Sequence, residues 1–425
     1  MSGVLASGQR VAVVGAGLAG VCTAWELAQR GCAVTVFERS GSIAERASFA
    51  GAAVTLPAAP GLLPTQPKSS LAWRWQQWRA NRQGSGGFPA AWTALSLAGL
   101  ETLASLRREL SLEDESHPGL LVLAASSSEH KALEAHASAW AELGVAATWL
   151  NAESARRLEP GLSRDAKLAG ALAVAAAGAG NGRLFAQGLR GHAQRAGVSF
   201  RFHTTVEGLA GGAPVQLRHR YDPPPEPATG VRQRRDAADT LSAPPGEQVE
   251  DFDAVVLCAG SEGLRLAGLG TPMALWRELS VTLPLRVLEA HPELGPQSAV
   301  IDAARGCAIA RIGQRVRVAG RHALVSASER APGPEDFELL HRALQAWFPG
   351  SGQHAQAVHW HGVRAVVPDG APLLGRTAQA GIWLHNAATD WGWGFACGAA
   401  AHLADSIVGR TPAVDAGALD VQRLR

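Results

Sequence analysis

At 425 residues, 47% of them hydrophobic and 18% charged, the chain is long enough to bury two or three cores. A formal net charge of +2 and the lack of a long basic run argue against nucleic acid as a partner. The five cysteines have neither paired nor metal-ligand spacing, which fits reduced core thiols in a cytoplasmic protein with no metal site. The first apolar run, Val11 to Val14, is too short for a signal segment, and no window of about 18 apolar residues is available to span a membrane. Peripheral attachment at the inner face of a membrane is compatible with all of this, because it depends on surface patches.

In chain order, "RVAVVGAGLAGVCTAWELAQRGCAVTVFER" reads as a strand (Val11 to Val14), a glycine turn, a helix to Arg30 stopped by Gly31, and a second buried strand (Val34 to Phe37). "LAWRWQQWRANR" predicts a helix burying two of the three rings Trp73, Trp75 and Trp78, and a longer helix follows over roughly Ala91 to Leu110. Gly119 to Ala125 is strand-like. Ser127 or Ser128 is then expected to cap a helix ending at Gly144, and Asn151 a short helix closed by Pro160. A helix over Leu184 to Gln194 precedes "VSFRFHTTV", read as one strand ending near Val206. Six prolines and scattered charges between Tyr221 and Glu250 predict a flexible loop. Strand texture returns at Asp253 to Gly260. Leu279 to Leu285, Ala299 to Asp302 and a hairpin around Gly313-Gln314 follow, then a helix (Glu335 to Trp347) and a strand (Ala355 to Arg364). "HNAATDWGWGFACGAAAHLADSIVGR" (385 to 410) runs from a short strand into a helix of small residues.

"GAGLAG" carries the strongest local chemistry. Gly15 permits a tight turn, Gly17 lets a pyrophosphate approach the backbone, and Gly20 lets helix and strand pack closely, with Ala16, Leu18 and Ala19 between them. The helix N-terminus stabilises phosphate, and Glu38, ending the next strand, can accept from ribose hydroxyls. A second strand ending in Ala259-Gly260 and a third glycine-rich turn near the C-terminus suggest a long buried dinucleotide, which fits FAD better than NAD. Independently, a strand-end arginine beside glycine, Arg364, preceded by Trp360 and His361, suits a bidentate carboxylate clamp.

The chain resembles the FAD-dependent D-amino-acid oxidase superfamily, and within it the bacterial D-amino-acid dehydrogenases of small-subunit type. The likeness covers nearly the whole length and rests on "VAVVGAGLAGV", "VTVFERSGSIAERASFAGA", "WRWQQW", "GRLFAQGL", "AGVSFRFHTTV", "DAVVLCAG", "GVRAVVPDGAPLLGRT" and "WGWGFACGAAAHLADSIVGRTPA". The resemblance implies an α/β FAD-binding Rossmann-like domain of glutathione-reductase type (1–84, 180–264 and 365–425). Inserted into it would be an α+β substrate domain on a mixed or antiparallel sheet (85–179 and 265–364), with 221–250 as a flexible proline-rich loop. It implies non-covalent FAD, with Glu38 and Arg39 on the ribose and adenine side and Arg46, Ala47 and Ser48 over the pyrophosphate. Val206 would lie beside adenine, Ala259 and Gly260 along the dinucleotide, and Gly375 and the turn Trp391-Gly392-Trp393 against the flavin ring. Arg364 would hold a substrate carboxylate, with His361, Arg277 and Arg305 as further substrate contacts.

Departures from the family pattern cluster on the substrate side. Leu279 and Arg305 stand where tyrosines are usual, the acidic segment before "GRLF" is "AAAGAGN" (Ala175 to Asn181), and Ala387-Ala388-Thr389 replaces glycine-histidine-glycine. The expected activity is therefore FAD-dependent oxidation of a D-amino acid, or of an imino or N-substituted amino acid, with a quinone, the respiratory chain or oxygen as acceptor. Two alternatives remain: a flavin oxidoreductase acting on a tailored metabolite, and a non-catalytic flavin-binding subunit.

Overall fold

The computed structural model describes residues 8–58, 62, 71–84, 88–223, 246–269, 273–286, 294–325, 331–386 and 392–424. The N-terminal βαβ unit forms as its pattern requires: strand Arg10–Val14, helix Leu18–Gln29 and strand Ala33–Phe37. In the first strand, side chains alternate between two cores. Val11 and Val13 join a helix-covered cluster, whereas Ala12 and Val14 join a cluster on the other face, as expected of a parallel strand buried on both sides. This strand is central to a six-stranded sheet ordered Leu373–Arg376, Ile382–Asn386, Ala254–Leu257, Arg10–Val14, Ala33–Phe37, Ser199–Arg201. All its neighbours pair in parallel except Leu373–Arg376 with Ile382–Asn386. A three-stranded antiparallel sheet of Thr204–Ala210, Val215–Tyr221 and Gly246–Phe252 contributes Val206, Val215, Leu217 and Phe252 to the second cluster.

A nine-stranded sheet forms the second layer system. Its path runs Val358–Val366, Ala274–Pro284, Arg315–Val325, Cys307–Ile312, Ala299–Asp302, His117–Ala124, Gly170–Ala179, Val54–Thr55, and Ala147–Asn151 pairs beside Gly170–Ala179. Helix Pro334–Trp347 buries Phe337, Leu340, Leu344 and Trp347 against one face, and helix Ser127–Glu142 buries Leu133 and Trp140 in a separate cluster.

Several expectations change. Helix Leu71–Gly84 forms, but of its three rings it buries Trp73 alone; Trp75 and Trp78 are 57% and 54% exposed. "VSFRFHTTV" is two strands in different sheets, split where His203 takes a positive φ of 53°. Both ends of the expected loop are strands, Val215–Tyr221 against Gly246–Phe252, and 224–245 lie outside the described residues. Ser126, not Ser127 or Ser128, caps the helix Ser127–Glu142. The strand Gly170–Ala179 carries no usual strand residues beyond Leu172 and Val174. Small residues are nonetheless required there, since a Cβ on Gly178 would lie 2.5 Å from the His117 carbonyl oxygen.

Helix Phe88–Glu109, expected with the second unit, packs instead on helix Gly392–Ile407 within the core of the six-stranded sheet. Their crossing is a backbone contact: a Cβ on Gly99 would lie 1.8 Å from the Gly394 carbonyl oxygen, and one on Gly398 2.0 Å from that of Leu95. No helix among the described residues is long and apolar enough to cross a membrane.

Candidate active site

A cavity of about 1330 Å³ opens between the carboxyl ends of the parallel strands and one face of the nine-stranded sheet. It exceeds the roughly 300–1,000 Å³ of an ordinary small-ligand pocket, so it can take a dinucleotide together with a second small molecule. Its nucleotide end is built by the first βαβ turn. Gly15 has φ +101°, and a Cβ there would lie 2.9 Å from the Cys258 carbonyl oxygen. A Cβ on Gly20 would lie 1.8 Å from the Gly15 carbonyl oxygen, and one on Gly17 would meet Ser48 Oγ at 3.1 Å. Helix Leu18–Gln29 has no side-chain cap at Gly17, so the turn offers N–H groups to an anion, while the Leu18 N–H donates to Ser48 Oγ at 3.2 Å. Glu38 accepts from the Ala16 N–H at 2.7 Å through one oxygen and from the Ser40 N–H at 2.8 Å through the other. These bonds aim the carboxylate while leaving lone pairs for ribose hydroxyls.

Gly15, Gly17, Leu18, Ala19, Glu38, Arg39, Arg46, Ala47, Ser48, Val206, Ala259, Gly260, Gly392 and Trp393 all line the cavity. Ala16 and Gly20 stand behind the turn rather than on its surface. Gly375 does not reach the cavity: it has φ +120° in the sheet's outer strand, and a Cβ would meet Asp420 Oδ2 at 3.1 Å. Trp391 and Ala387 to Thr389 lie outside the described residues.

On the sheet side, Arg364 is 7% exposed, lines the cavity and lies over the Trp276 ring at 5.8 Å. Antiparallel register pairs Trp276 with Arg364, Glu278 with Gly362, Ser280 with Trp360, and Thr282 with Arg317. Directly opposed residues share a face, so Arg364, Glu278, Trp360 and Arg317 project from the same side, and each lines the cavity.

The expected substrate contacts fare differently. His361 lines the cavity, although pairing with Leu279 puts it one residue out of phase with Arg364; Arg277, paired with Val363, is likewise out of phase and does not line it. Burial, then neighbouring Arg277, holds the His361 imidazole below its usual pKa. Arg305 is held in the turn after Ala299–Asp302 by an ion pair with Asp302 and by the Trp347 ring, away from the cavity. Leu279 is core on the reverse face, and Glu278 occupies the cavity-facing position beside it. Ala175 to Asn181 also do not line the cavity; Gly182 and Arg183 do.

Sequence reasoning missed Arg317, although an arginine between Val316 and Val318 in a core strand was a usable signal. Its Nε donates to Thr282 Oγ1 at 3.0 Å, and its Nη1 to the carbonyls of Phe49 and Gly51 at 2.8 and 3.4 Å. The guanidinium lies 5.0 Å from the Phe49 ring centre, and Phe49 in turn packs on Trp360 at 4.9 Å. No carboxylate of the described residues lies within ion-pair distance of Arg317, and burial pushes its pKa down to about 10. It remains a cation at neutral pH, clamping the segment that follows Ser48 onto the sheet.

His385 lines the cavity yet is almost fully buried, and it shares a 2.9 Å hydrogen bond between Nδ1 and Thr23 Oγ1. Burial, then nearby His402, lowers its pKa from 6.5 to about 3. The unfolded chain accordingly takes up a proton below pH 6.5 that the native ring refuses. This contribution to stability is complete above pH 6.5 and is lost as pH falls toward 3, by at most about 1.4 kcal/mol per pH unit. Urea unfolding across this range is expected to show that slope, and His385→Asn to flatten it. Among the described residues no group of three or more His, Cys, Asp and Glu side chains could hold a metal ion.

A family model described as FAD dependent oxidoreductase matches residues 10–406. A D-amino acid dehydrogenase of Cereibacter sphaeroides is 32% identical over 446 aligned positions, covering 97% of this chain and 95% of the relative. Among solved structures, glycine oxidase from Geobacillus kaustophilus superposes with a TM-score of 0.73 at 21% identity, covering 98% of this chain and 99% of that one. L-proline dehydrogenase from P. horikoshii gives 0.70 at 16% identity, covering 98% and 97%.

Proposed function

The chain belongs to the DAO family of FAD-dependent oxidoreductases, and on that premise we propose that it oxidises the CH–NH bond of a D-amino acid or of a related imino or N-substituted amino acid. The family's cofactor is FAD, which accepts a hydride from the α-carbon when bound. The product imine is then hydrolysed by water to a 2-oxo acid and ammonia, or the corresponding amine from an N-substituted substrate. On this reading the six-stranded sheet with its helices carries the cofactor and the nine-stranded sheet presents the substrate. The curated relative named a D-amino acid dehydrogenase supports the substrate class.

The observation that carries the reading is Arg364, a buried cation aimed into the cavity from the face opposite the nucleotide turn. Its planar fork can grip a carboxylate bidentately and so turn the α-carbon toward the bound cofactor. Trp360 lines the same space, with Phe49 packed against its ring. Orientation of a neutral amine, rather than a strong base, is the protein's main contribution. Electrons leave to a quinone or another respiratory-chain acceptor.

Anaerobic mixing of the yellow holoprotein with D-, L-, cyclic and N-alkyl amino acids tests this. Bleaching of the flavin band is expected with at least one D- or imino acid, followed by faster reoxidation with a quinone than with air. No bleaching across the panel would sink the proposal.

A further inference from the structure

Glu278 is the single carboxylate that the nine-stranded sheet brings to the cavity among the described residues. It sits half-buried in strand Ala274–Pro284 opposite Gly362, which puts no side chain between it and the cavity. Arg364 opposes Trp276, so Glu278 and Arg364 are diagonal neighbours on one face, their backbones about 7–8 Å apart. On the other side the ladder is irregular at this position. Arg277 pairs with Ala323 and Leu279 with Gly320, so two residues of the partner strand stand opposite Glu278 alone. Such a bulge bends the strand locally and re-aims the side chain beside it. The other charged or titratable groups nearby are Arg277 on the same strand, Arg317 on one neighbour, and His361 and Arg364 on the other. Arg46 caps the short helix Ala47–Ala50, which packs against these strands.

An amino acid in neutral water is a zwitterion, and its ammonium has no lone pair with which to expel a hydride from the α-carbon. We propose that Glu278 binds the substrate's α-ammonium and takes one proton from it while Arg364 holds the carboxylate. The two poles of a zwitterion are separated by one carbon, and the neighbouring pair of opposite charges on this face matches them. The N–H bond breaks, its electron pair stays on nitrogen, and the proton goes to a Glu278 oxygen. The hydride then leaves the α-carbon for the bound flavin with both electrons of the C–H bond, and the nitrogen lone pair closes the C=N bond. Being only half-buried, Glu278 returns its proton to solvent. A carboxylate accepts at two oxygens through several lone pairs, so contacts with protein neighbours leave it able to accept from substrate. The inference rests on the amino-acid reading and adds a substrate class: primary and secondary α-amines with a free carboxylate. A quaternary amine offers Glu278 no proton and is excluded.

Glu278 also opposes the larger effect of burial on Arg317, so base and counter-charge have to be told apart. The test is anaerobic flavin reduction of the holoprotein by the best amino acid of the panel, followed from about pH 6 to 10. Glu278→Gln should react about a hundredfold or more slowly at neutral pH. Its rate should then climb about tenfold per pH unit and approach that of wild type once the solution has deprotonated the amine, whereas wild type is flatter. Glu278→Ala is expected to show the same profile and serves if Glu278→Gln does not hold flavin; Glu278→Asp should keep the wild-type profile at a lower rate. Perturbation of the flavin spectrum gives a second readout. The amino acid should bind Glu278→Gln more weakly than wild type, and its deaminated acid (propionate for D-alanine) at least as well. A loss that is the same at every pH, or the same for the deaminated acid as for the amino acid, would overturn the proposal and leave Glu278 as a counter-charge to Arg317. Bleaching of wild type with parallel profiles overturns this inference alone; a wild type that no amino acid bleaches overturns the amino-acid reading and this inference with it.

Discussion

Arg364→Ala is expected to lower kcat/KM by at least about a hundredfold while leaving the bound flavin's spectrum unchanged. A hydrogen bond to a charged group contributes about 1.5–3 kcal/mol, and a bidentate grip provides two. Part of the loss should appear in KM, as binding that is the same in ground and transition states. Part should appear in kcat, because a substrate held only by its amine and side chain no longer presents its α-hydrogen correctly. Arg364→Lys keeps the charge but not the planar fork and should recover only a fraction. Esterified or decarboxylated substrates should lose most of their discrimination between wild type and Arg364→Ala. Steady-state kinetics with the best substrate from the anaerobic panel decides the matter; an unchanged KM and kcat would remove Arg364 from the site.

Arg317→Met should act on the cofactor rather than on the substrate. The guanidinium supplies donors to the carbonyls of Phe49 and Gly51, in the segment between Ser48 and Val54 that lines the cavity. Methionine fills similar volume but leaves those acceptors without their donor, at a cost of about 1–3 kcal/mol for each one that water cannot reach. Removing a buried cation offsets part of that cost, since such a charge is itself expensive to desolvate. The expected net result is FAD binding weakened about tenfold or more, measured by flavin retention on gel filtration and by fluorescence titration. Arg317→Lys should not restore it, because one ammonium cannot serve carbonyls and Thr282 at three separate positions. Wild-type FAD affinity in both variants would show that the clamp is dispensable.

The nucleotide half was legible because its residues act through local rules. A glycine-rich turn between a buried strand and a helix has one backbone solution, and an acid ending the next strand is delivered to that turn by the sheet itself. The substrate half depends on which side of a strand a residue occupies, and there an offset of one position reverses the outcome. Arg364 and His361 are three apart, so they cannot share a face; Arg277 opposes Val363 and Leu279 opposes His361. Motif spacing identified the strand, but the facing side chains were set by pairing across the sheet. Gly170–Ala179 was unreadable for another reason: alanine and glycine carry little strand preference, and at Gly178 close approach of the His117 backbone requires a glycine. Gly375 misses its expected flavin-side place because its strand is the outer one of the sheet, away from the cavity, where an added Cβ would meet Asp420.

The crossing of Phe88–Glu109 over Gly392–Ile407 bears on how such an enzyme can change its substrate. With glycines meeting carbonyls at backbone distance, neither helix can take up a larger side chain at the crossing without separating from the other. The end of Gly392–Ile407 that meets the cavity is thereby fixed to the frame. Across the cavity, Glu278 and Trp360 sit on neighbouring strands of a backbone held by its own ladder. Either can be exchanged while the ladder and the Arg317 clamp stay in place. The architecture thus separates a half that cannot drift from a half that can be resampled one residue at a time, and new specificity has a route that does not pass through loss of the flavin.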